Sequence, residues 1–225
     1  MGKEPQTHTN SGEKVAFISS MFAYHRVKRA LDFAGALLAL AILSPVFLIL
    51  AVLVKLDGGA IFFRHKRVGY GGQEFDCLKF RTMHANSQQL LANYLAANPT
   101  AAEYWRQHQK LKNDPRVTAV GKLMRATSVD ELPQLINVLM GHMAIVGPRP
   151  VTRQELLEHY LFYEDCYQSV RPGITGVWQV SGRSDVSYTN RVMMDVNYVQ
   201  RYSFARDLGI IIRTPAAVFS RKGAY

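Results

Sequence analysis

The chain has 225 residues, of which 48% are hydrophobic and 20% are charged. This composition is typical of a folded protein and excludes a largely disordered chain. The formal net charge of +10 favours anionic partners, which include nucleic acid, acidic lipid headgroups and phosphorylated substrates. The two cysteines, Cys77 and Cys166, form no CxxC pair, so a disulfide framework is not expected and a reducing compartment fits.

The N-terminal part of the chain changes character along its length. Residues 1–20 are polar and mixed, which predicts a flexible tail; they have no apolar core near the start and so do not form a signal peptide. Residues 33–54 then run without a single charged side chain. By length and composition this run is a candidate membrane segment.

Ser44 and Pro45 lie in the middle of the apolar run. Proline lacks an amide donor and clashes with the preceding turn, so a kink or a break is expected there. Each arm would form roughly 18 Å of helix, whereas the hydrocarbon core of a bilayer is about 30 Å thick. Basic residues flank both ends of the run: Arg26, Lys28 and Arg29 before it, and Lys55, Arg64, Lys66 and Arg67 after it.

Equal basic flanks suit a re-entrant helix over 27–56, with both ends on the cytoplasmic side. A kinked helix that spans the bilayer is the alternative, and the residues alone favour neither. A buried helix of a soluble core fits less well, because few soluble cores need so long an uncharged run.

The later elements are short. Extended segments are predicted over 60–63 and 73–83, with a glycine turn at 69–72 between them. Helices are predicted over 88–112 with an interruption near Pro99, over 120–140 in two pieces, and over 155–170, 188–202 and 207–219. The last helix is apolar with basic flanks, which suits either a membrane interface or a core. The predicted fold is mainly α with short β or irregular segments (α+β).

Asp130 and Glu131 precede the apolar stretch LPQLINVLM. With Ser128 three residues before Glu131, the pattern predicts a capping box at a helix start. The alternative is catalysis on a phosphate, with one carboxylate as nucleophile or metal ligand and the other as base. Mg²⁺ would then bind a carboxylate and a diphosphate together. The residues alone leave both interpretations open.

Several basic side chains are candidates for phosphate binding, because guanidinium and ammonium groups pair with phosphate oxygens. Arg149 differs from the others because it lies between Pro148 and Pro150, where the backbone is stiff. Arg191 and Asp195 have the i,i+4 spacing of an exposed ion pair. The other basic candidates are Lys79, Arg81, Arg125 and Arg171.

Several motifs follow one another along the chain: KRALDF before the apolar run broken by SP, then FRHKRVGYGGQEF, KFRTM, LMRATSVDELPQLINVLMG, IVGPRP and RPGITGVWQVSGR. In this set and order the chain resembles the bacterial sugar transferase family, the small monotopic phosphoglycosyl transferases. The resemblance covers residues 26–225, nearly the whole chain.

The resemblance implies a re-entrant helix broken at Ser44 and Pro45, and a catalytic pair formed by Asp130 and Glu131. In this family the aspartate attacks the β-phosphorus of a UDP-sugar and UMP leaves. Polyprenyl phosphate then attacks the phosphosugar-aspartyl intermediate, which makes the reaction ping-pong. Mg²⁺ is required and sits by the aspartate, here Asp130, while Glu131 assists as base or orienting group.

Other roles also follow from the resemblance alone. Arg149 matches a phosphate-binding arginine of the family. The loop that begins at Arg171 is expected to meet the nucleotide. Five more positions are expected to support activity or the pocket: Arg125, Asp195, Asp207, and Lys79 and Arg81 of KFRTM.

These expectations define one catalytic domain over 21–225, at the cytoplasmic face of the bacterial inner membrane. Its substrates would be UDP-galactose or UDP-glucose and undecaprenyl phosphate, and its product would begin exopolysaccharide or O-antigen repeats. Membrane lipids are expected partners, and a homo-oligomer is one possible assembly. Nucleic acid is not expected, since no recognition motif occurs. A non-enzymatic membrane scaffold explains the apolar run and the charge equally well, but not the set of motifs.

Overall fold

The computed structural model describes residues 11–111, 113–181 and 186–219. It is mainly helical with small sheets, as the sequence predicted. The helices of these residues are α1 Ser11–Lys55, α2 Ser87–Ala97, α3 Pro99–His108, α4 Ala119–Thr127, α5 Gln134–Met140, α6 Arg153–His159, α7 Glu164–Gln168, α8 Val177–Val180, α9 Tyr188–Gln200 and α10 Phe204–Phe219. The strands are β1 Phe62–Val68, β2 Glu74–Phe80, β3 Ala144–Val146 and β4 Gly173–Thr175.

Strands β1 and β2 form an antiparallel hairpin. The predicted glycine turn joins them, and Gly71 and Gly72 there have positive φ angles of 65° and 75°, a region that glycine enters at little cost. In the register, Phe63 lies opposite Lys79 and His65 opposite Cys77. Residues that lie opposite each other in a pair of strands project from the same face, so Lys79 shares a face with His65.

Strands β3 and β4 are parallel. Gly147, which follows β3, and Gly173, which begins β4, approach each other so closely that no side chain fits between their backbones. A Cβ added at Gly173 would lie 2.1 Å from the Gly147 nitrogen. The amide of Gly173 donates to the Pro148 carbonyl at 2.8 Å. This close approach fixes the start of the loop that carries Arg149.

Helix α1 packs along the folded body over most of its apolar length. Ala36 is fully buried in a cluster with Phe75 of β2 and Leu135 of α5. Further along, Phe47 and Val54 join a second cluster with Phe80. The opposite face of the helix is exposed and apolar, including Leu37, Leu38, Ile42, Leu48, Ile49 and Val52. By length and composition the segment Tyr24–Lys55 is able to cross a membrane.

The predicted break at Ser44 and Pro45 needs correction, because the backbone stays helical through both residues. Proline removes one amide donor, which leaves the Ala41 carbonyl four residues earlier without its helical partner. The Ser44 hydroxyl donates to that carbonyl at 2.8 Å. One substituted hydrogen bond therefore lets the helix continue, and the re-entrant path itself stays a prediction.

The predicted flexible tail over 1–20 also changes. Residues 11–20 belong to α1, whereas residues 1–10 lie outside the described part. Once a helix is nucleated, each added residue gains one backbone hydrogen bond, and no proline interrupts the chain between residues 11 and 44. The polar composition was therefore a poor guide to the backbone here.

Candidate functional site

Asp130 and Glu131 lie in a 3-10 turn, Val129–Glu131, between α4 and α5. Ser128 has a left-handed backbone, φ 57°, and its side chain makes no capping hydrogen bond. The predicted capping box is therefore wrong. Glu131 instead pairs with Lys79 of β2, whose Nζ lies 2.5 Å from Oε1. A tertiary ion pair between this turn and β2 has replaced the local cap.

Asp130 is a nearly buried carboxylate, with 9% of its surface exposed. Burial, followed by the negative charge of Glu131, raises the pKa of Asp130 from 3.8 to about 6. The positive charges of Lys79 and Arg125 act in the opposite direction. Arg125 is held by a hydrogen bond from its Nε to Thr82 Oγ1 at 2.9 Å. The Asp130 carboxylate is thus flanked by two cations and is mostly ionised at neutral pH.

Arg149 follows β3 on the proline-flanked loop. Its Nη1 lies 3.6 Å from Glu155 Oε1, and the other oxygen of Glu155 accepts from Arg67 Nη1 at 2.7 Å. Burial acts to raise the pKa of Glu155, but the Thr152 amide and the two arginines outweigh it and lower the pKa. One carboxylate therefore serves two guanidinium groups, which leaves net positive charge at this loop.

One face of the β-hairpin carries Lys79, Arg67 and the buried Cys77. At one end of this face Lys79 pairs with Glu131. At the other end Arg67 pairs with Glu155, whose second oxygen lies 3.6 Å from Arg149. Of the predicted site residues, the structure therefore brings together Asp130, Glu131, Lys79 and Arg125, and it joins Arg149 to the same hairpin face through Glu155 and Arg67.

Asp195 lies in the same region but not as predicted. The i,i+4 spacing to Arg191 predicted an exposed ion pair, whereas Asp195 is 2% exposed and accepts from the Tyr160 hydroxyl at 2.7 Å. Burial raises the pKa of Asp195 to about 7, against the opposing effects of Tyr160, Arg191 and Arg149. The exposed pair is wrong because the hydrophobic core that contains Tyr160 covers this side of α9.

Three predicted site residues lie elsewhere. Arg81 donates to the carbonyls of Val54, Ala60 and Met83 and pairs with Asp57, so it fastens the end of α1. Asp207 accepts from Lys28 of α1 at 2.7 Å and from the Tyr198 hydroxyl at 2.7 Å. Arg171 donates to the Gly141 carbonyl at 2.7 Å. These contacts join α1, α5 and α10 rather than facing Asp130.

Sequence reasoning did not assign several residues that the structure adds to the site. Arg67 and Glu155 link the hairpin to the Arg149 loop, and Trp178 lies under the guanidinium groups of Arg149 and Arg191 at 5.6 Å and 4.0 Å. Strand alternation gave one usable signal, since Arg67 falls on the same hairpin face as Lys79. Glu155 also had a local signal, since Thr152 and Glu155 form a capping box at the start of α6, but its contacts with the arginines and the stacking of Arg191 depend on tertiary packing.

The donor set at Asp130 fits a magnesium ion that takes ligands from its substrate. Among the described residues, no group of three or more His, Cys, Asp or Glu side chains is arranged to hold a metal. Mg²⁺ commonly uses one or two carboxylates, with the remaining positions filled by substrate phosphates and water. Asp130, buried beside a second carboxylate and with its pKa raised to about 6, suits such a partial site.

Residues 23–221 match the family model described as bacterial sugar transferase. "Exopolysaccharide production protein ExoY" of Sinorhizobium fredii is 51% identical over 199 residues, which are 88% of each chain. "Undecaprenyl-phosphate galactose phosphotransferase" of Salmonella typhimurium is 47% identical over 199 residues, 88% of this chain and 42% of that protein.

A third relative is named for a different sugar. "UDP-glucose:undecaprenyl-phosphate glucose-1-phosphate transferase" of Caulobacter vibrioides is 37% identical over 214 residues, which are 88% of this chain and 72% of that protein. The chain therefore matches relatives named for galactose and for glucose, and it spans less than half of the Salmonella protein.

Proposed function

The chain belongs to the bacterial sugar transferase family, and from this premise we propose that it transfers a hexose 1-phosphate from a UDP-hexose to undecaprenyl phosphate. The family and the names of the relatives support a transferase of polysaccharide synthesis. The donor, the release of UMP and the ping-pong order belong to the proposal. Galactose and glucose are the candidate sugars, since both occur in the relatives' names.

The observation that carries the proposal is the environment of Asp130. A nucleophile must be ionised, and a pKa of about 6 leaves Asp130 mostly ionised at pH 7. Burial has removed much of its hydration, and a poorly solvated carboxylate is a better nucleophile than an exposed one. Covalent catalysis by a carboxylate is established chemistry for phosphoryl groups.

The first step forms one bond and breaks one. A carboxylate oxygen of Asp130 attacks the β-phosphorus of the UDP-hexose, and the bond from that phosphorus to the bridging oxygen breaks. UMP leaves with the electron pair, and the hexose phosphate stays on Asp130. In the second step an oxygen of undecaprenyl phosphate attacks the same phosphorus, which releases Asp130 and gives the diphosphate-linked lipid.

The residues around Asp130 hold charge during both steps. Glu131, paired with Lys79 at 2.5 Å, orients the ammonium group beside the reacting phosphate. Arg149 binds the β-phosphate, because its backbone is stiff and Glu155, its carboxylate partner among the described residues, lies 3.6 Å away and is shared with Arg67. Mg²⁺ bound by Asp130 and the diphosphate would offset the repulsion between these anions.

The contacts of α1 support a cytoplasmic, re-entrant arrangement. Near its beginning, Lys28 pairs with Asp207; near its end, the Val54 carbonyl accepts from Arg81 at 2.9 Å. A helix that crossed a bilayer would carry these two ends to opposite surfaces, yet both contact one folded body. We assign the body and both helix ends to the cytoplasmic face of the inner membrane, where basic flanks are favoured.

The experiment is a release assay with purified protein, UDP-galactose or UDP-glucose, Mg²⁺ and undecaprenyl phosphate. The wild type is expected to release UMP and to form the lipid-linked sugar, whereas Asp130→Asn is expected to lose at least about a thousandfold in rate. Asp76→Asn is the matched control, since Asp76 is an exposed partner of Lys66 on the same hairpin. No release by wild type, or equal rates for Asp130→Asn, would reject the proposal.

A further inference from the structure

One face of α9 carries three polar atoms without partners. Among the described residues, the Tyr188 hydroxyl, Arg191 Nε and Asp195 Oδ1 are buried and have no hydrogen-bond partner. Positions 188, 191 and 195 are spaced so that they lie on one side of a helix. Buried polar atoms are normally paired, and Asp195 is 2% exposed. Three such atoms on one face point to a ligand that supplies the missing bonds.

Arg191 is held in place by aromatic rings instead of by an acid. Its guanidinium carbon lies 4.0 Å from the Trp178 ring centre and 4.7 Å from that of Tyr188. No ion pair joins Arg191 to any carboxylate of the described residues. Burial and the positive charge of Arg149 both lower its pKa. A second anion beside Arg149 would relieve this repulsion.

The Tyr188 hydroxyl and Asp195 Oδ1 indicate which groups the ligand carries beside the anion. Asp195 Oδ1 accepts hydrogen bonds when the carboxyl is ionised, and Tyr160 donates to the other oxygen, so a ligand hydroxyl can donate to Oδ1. Tyr188 keeps its proton, because burial raises the pKa of its hydroxyl to about 12, and it both donates and accepts. A ligand with a phosphate and neighbouring hydroxyls satisfies all three atoms. The phosphate of a polyprenyl lipid offers the charge but carries no hydroxyl groups beside it.

The placement of the two arginines indicates which part of the donor lies here. The guanidinium groups of Arg149 and Arg191 both lie over the Trp178 ring, 5.6 Å and 4.0 Å from its centre. Arg149 is the one that Glu155 joins to Arg67 of the hairpin that carries Lys79. Two arginines beside one ring suit the two phosphates of a diphosphate, with Arg149 on the side of the hairpin.

We propose that Arg191, Tyr188 and Asp195 form the subsite for the nucleoside monophosphate half of the donor, the part that leaves. Arg191 binds the α-phosphate, and Tyr188 and Asp195 meet ribose hydroxyls. This inference rests on the proposed function, because it takes a UDP-sugar as the donor. Arg149 then holds the reacting β-phosphate, so each phosphate of the donor has its own guanidinium group.

The test separates the two halves of the reaction. UMP inhibition and the KM for UDP-sugar report on this subsite, whereas transfer from the phosphosugar-enzyme to undecaprenyl phosphate takes place after UMP has gone. Arg191→Met is expected to raise the UMP inhibition constant and the UDP-sugar KM by about tenfold to a hundredfold. Arg191→Lys, which keeps the charge, is expected to recover part of the loss.

Tyr188→Phe is a second variant, which keeps the test valid if Arg191→Met fails to fold. The hydroxyl has no internal partner, so its removal is expected to leave the Tm unchanged or higher while the UMP inhibition constant rises about threefold to tenfold. Arg206→Met is the control, because Arg206 also lies over a tyrosine ring, at 5.7 Å, but donates to Asn197. Its kinetics are expected to match those of the wild type.

Two results would overturn the inference while the wild type still releases UMP. One is an unchanged UMP inhibition constant in both Arg191→Met and Tyr188→Phe. The other is an equal slowing of the second half-reaction, which would put these residues at the acceptor or the sugar. A wild type that releases no UMP would reject the proposed function instead, so the two failures are distinguishable.

Discussion

At the scale of single residues, burial of the Asp130 carboxylate favours the proposed activity and lowers the stability of the folded chain at neutral pH. Its pKa is 3.8 in a model peptide and about 6 in the folded chain, chiefly because of burial and then Glu131. The folded state therefore holds the proton more tightly than the unfolded state. The contribution of Asp130 to the free energy of unfolding is highest below pH 4 and falls as the pH rises through the window from 3.8 to about 6.

The Asp130→Asn variant should reverse this loss. Without divalent cation, we expect it to be more stable than the wild type at pH 8 by about 2 to 3 kcal/mol, since no charge is buried. Near pH 4 the two proteins should unfold alike. Chemical unfolding in detergent micelles at both pH values measures the difference. A gap that is the same at pH 4 and pH 8 would show that ionisation of Asp130 is not its cause.

Lys79 tunes the same carboxylate from the hairpin. Its charge lowers the pKa of Asp130, so Lys79→Met should shift the rising limb of the pH–rate profile to higher pH and reduce turnover at pH 7 by about tenfold or more. Lys66→Met, on the same strands but paired with exposed Asp76, should leave the profile in place. A loss by one constant factor at every pH would contradict electrostatic tuning.

At the scale of elements, the buried Asn137 of α5 holds β2 beside Asp130. Its amide donates to the Asp76 carbonyl at 2.8 Å and accepts from the Leu78 amide at 2.9 Å. Asn137→Leu should cost about 2 to 4 kcal/mol of stability because two buried backbone groups lose their partners. Turnover should fall as well, since Lys79 follows Leu78 directly. Asn93→Leu, at an exposed amide pair, is the control, and equal unfolding of both variants would contradict this role.

Helix α1 gives a second test at this scale, by cysteine labelling in a Cys77→Ala, Cys166→Ala background. Arg26→Cys and Ala60→Cys lie at exposed positions on either side of the apolar run. Both should react from the cytoplasmic side of inside-out vesicles. Pro45→Ala restores the amide whose hydrogen bond the Ser44 hydroxyl replaces, so the helix should stay continuous and both sites should still react from the cytoplasmic side. Opposite sides in the chain with Pro45 intact would reject the re-entrant path.

Local sequence patterns predicted most helices and strands but not the positions at which one element ends and the next begins. The helix predicted over 155–170 is divided into α6 and α7, with Leu161 at a positive φ of 43°. In a continuous helix, residues seven apart are about 10 Å apart along the axis; the Tyr160 and Tyr167 rings lie at 5.0 Å. Burying both rings together bends the chain, and no proline or glycine marks that bend in the sequence.

The site shows the same division. Asp130, Glu131 and Arg149 were predicted from motifs and lie in one region, yet Arg81 and Asp207 came from the same resemblance and fasten α1 instead. A motif preserves the residue type but does not state what the side chain contacts. Arg191 was missed as a site residue because its stacking on Trp178 depends on packing between α8 and α9.

At the scale of the whole molecule, the membrane helix and the site form one body. The Asp32 carboxylate accepts from the Ile145 amide at 3.1 Å, at the strand that leads to Arg149. The end of α1 is tied to Arg81, two residues after Lys79. Helix α1 therefore fixes both the hairpin and the arginine loop, and the proposed function requires this rigid arrangement if acceptor and donor are to meet at Asp130.

The most direct test is the mass of the intact protein after incubation with UDP-hexose and Mg²⁺ but without undecaprenyl phosphate. The proposed mechanism predicts an adduct of one hexose phosphate, located on Asp130 by peptide mapping, absent in Asp130→Asn and discharged when undecaprenyl phosphate is added. An active protein that carries no adduct under rapid quenching, or carries it on another residue, would contradict it.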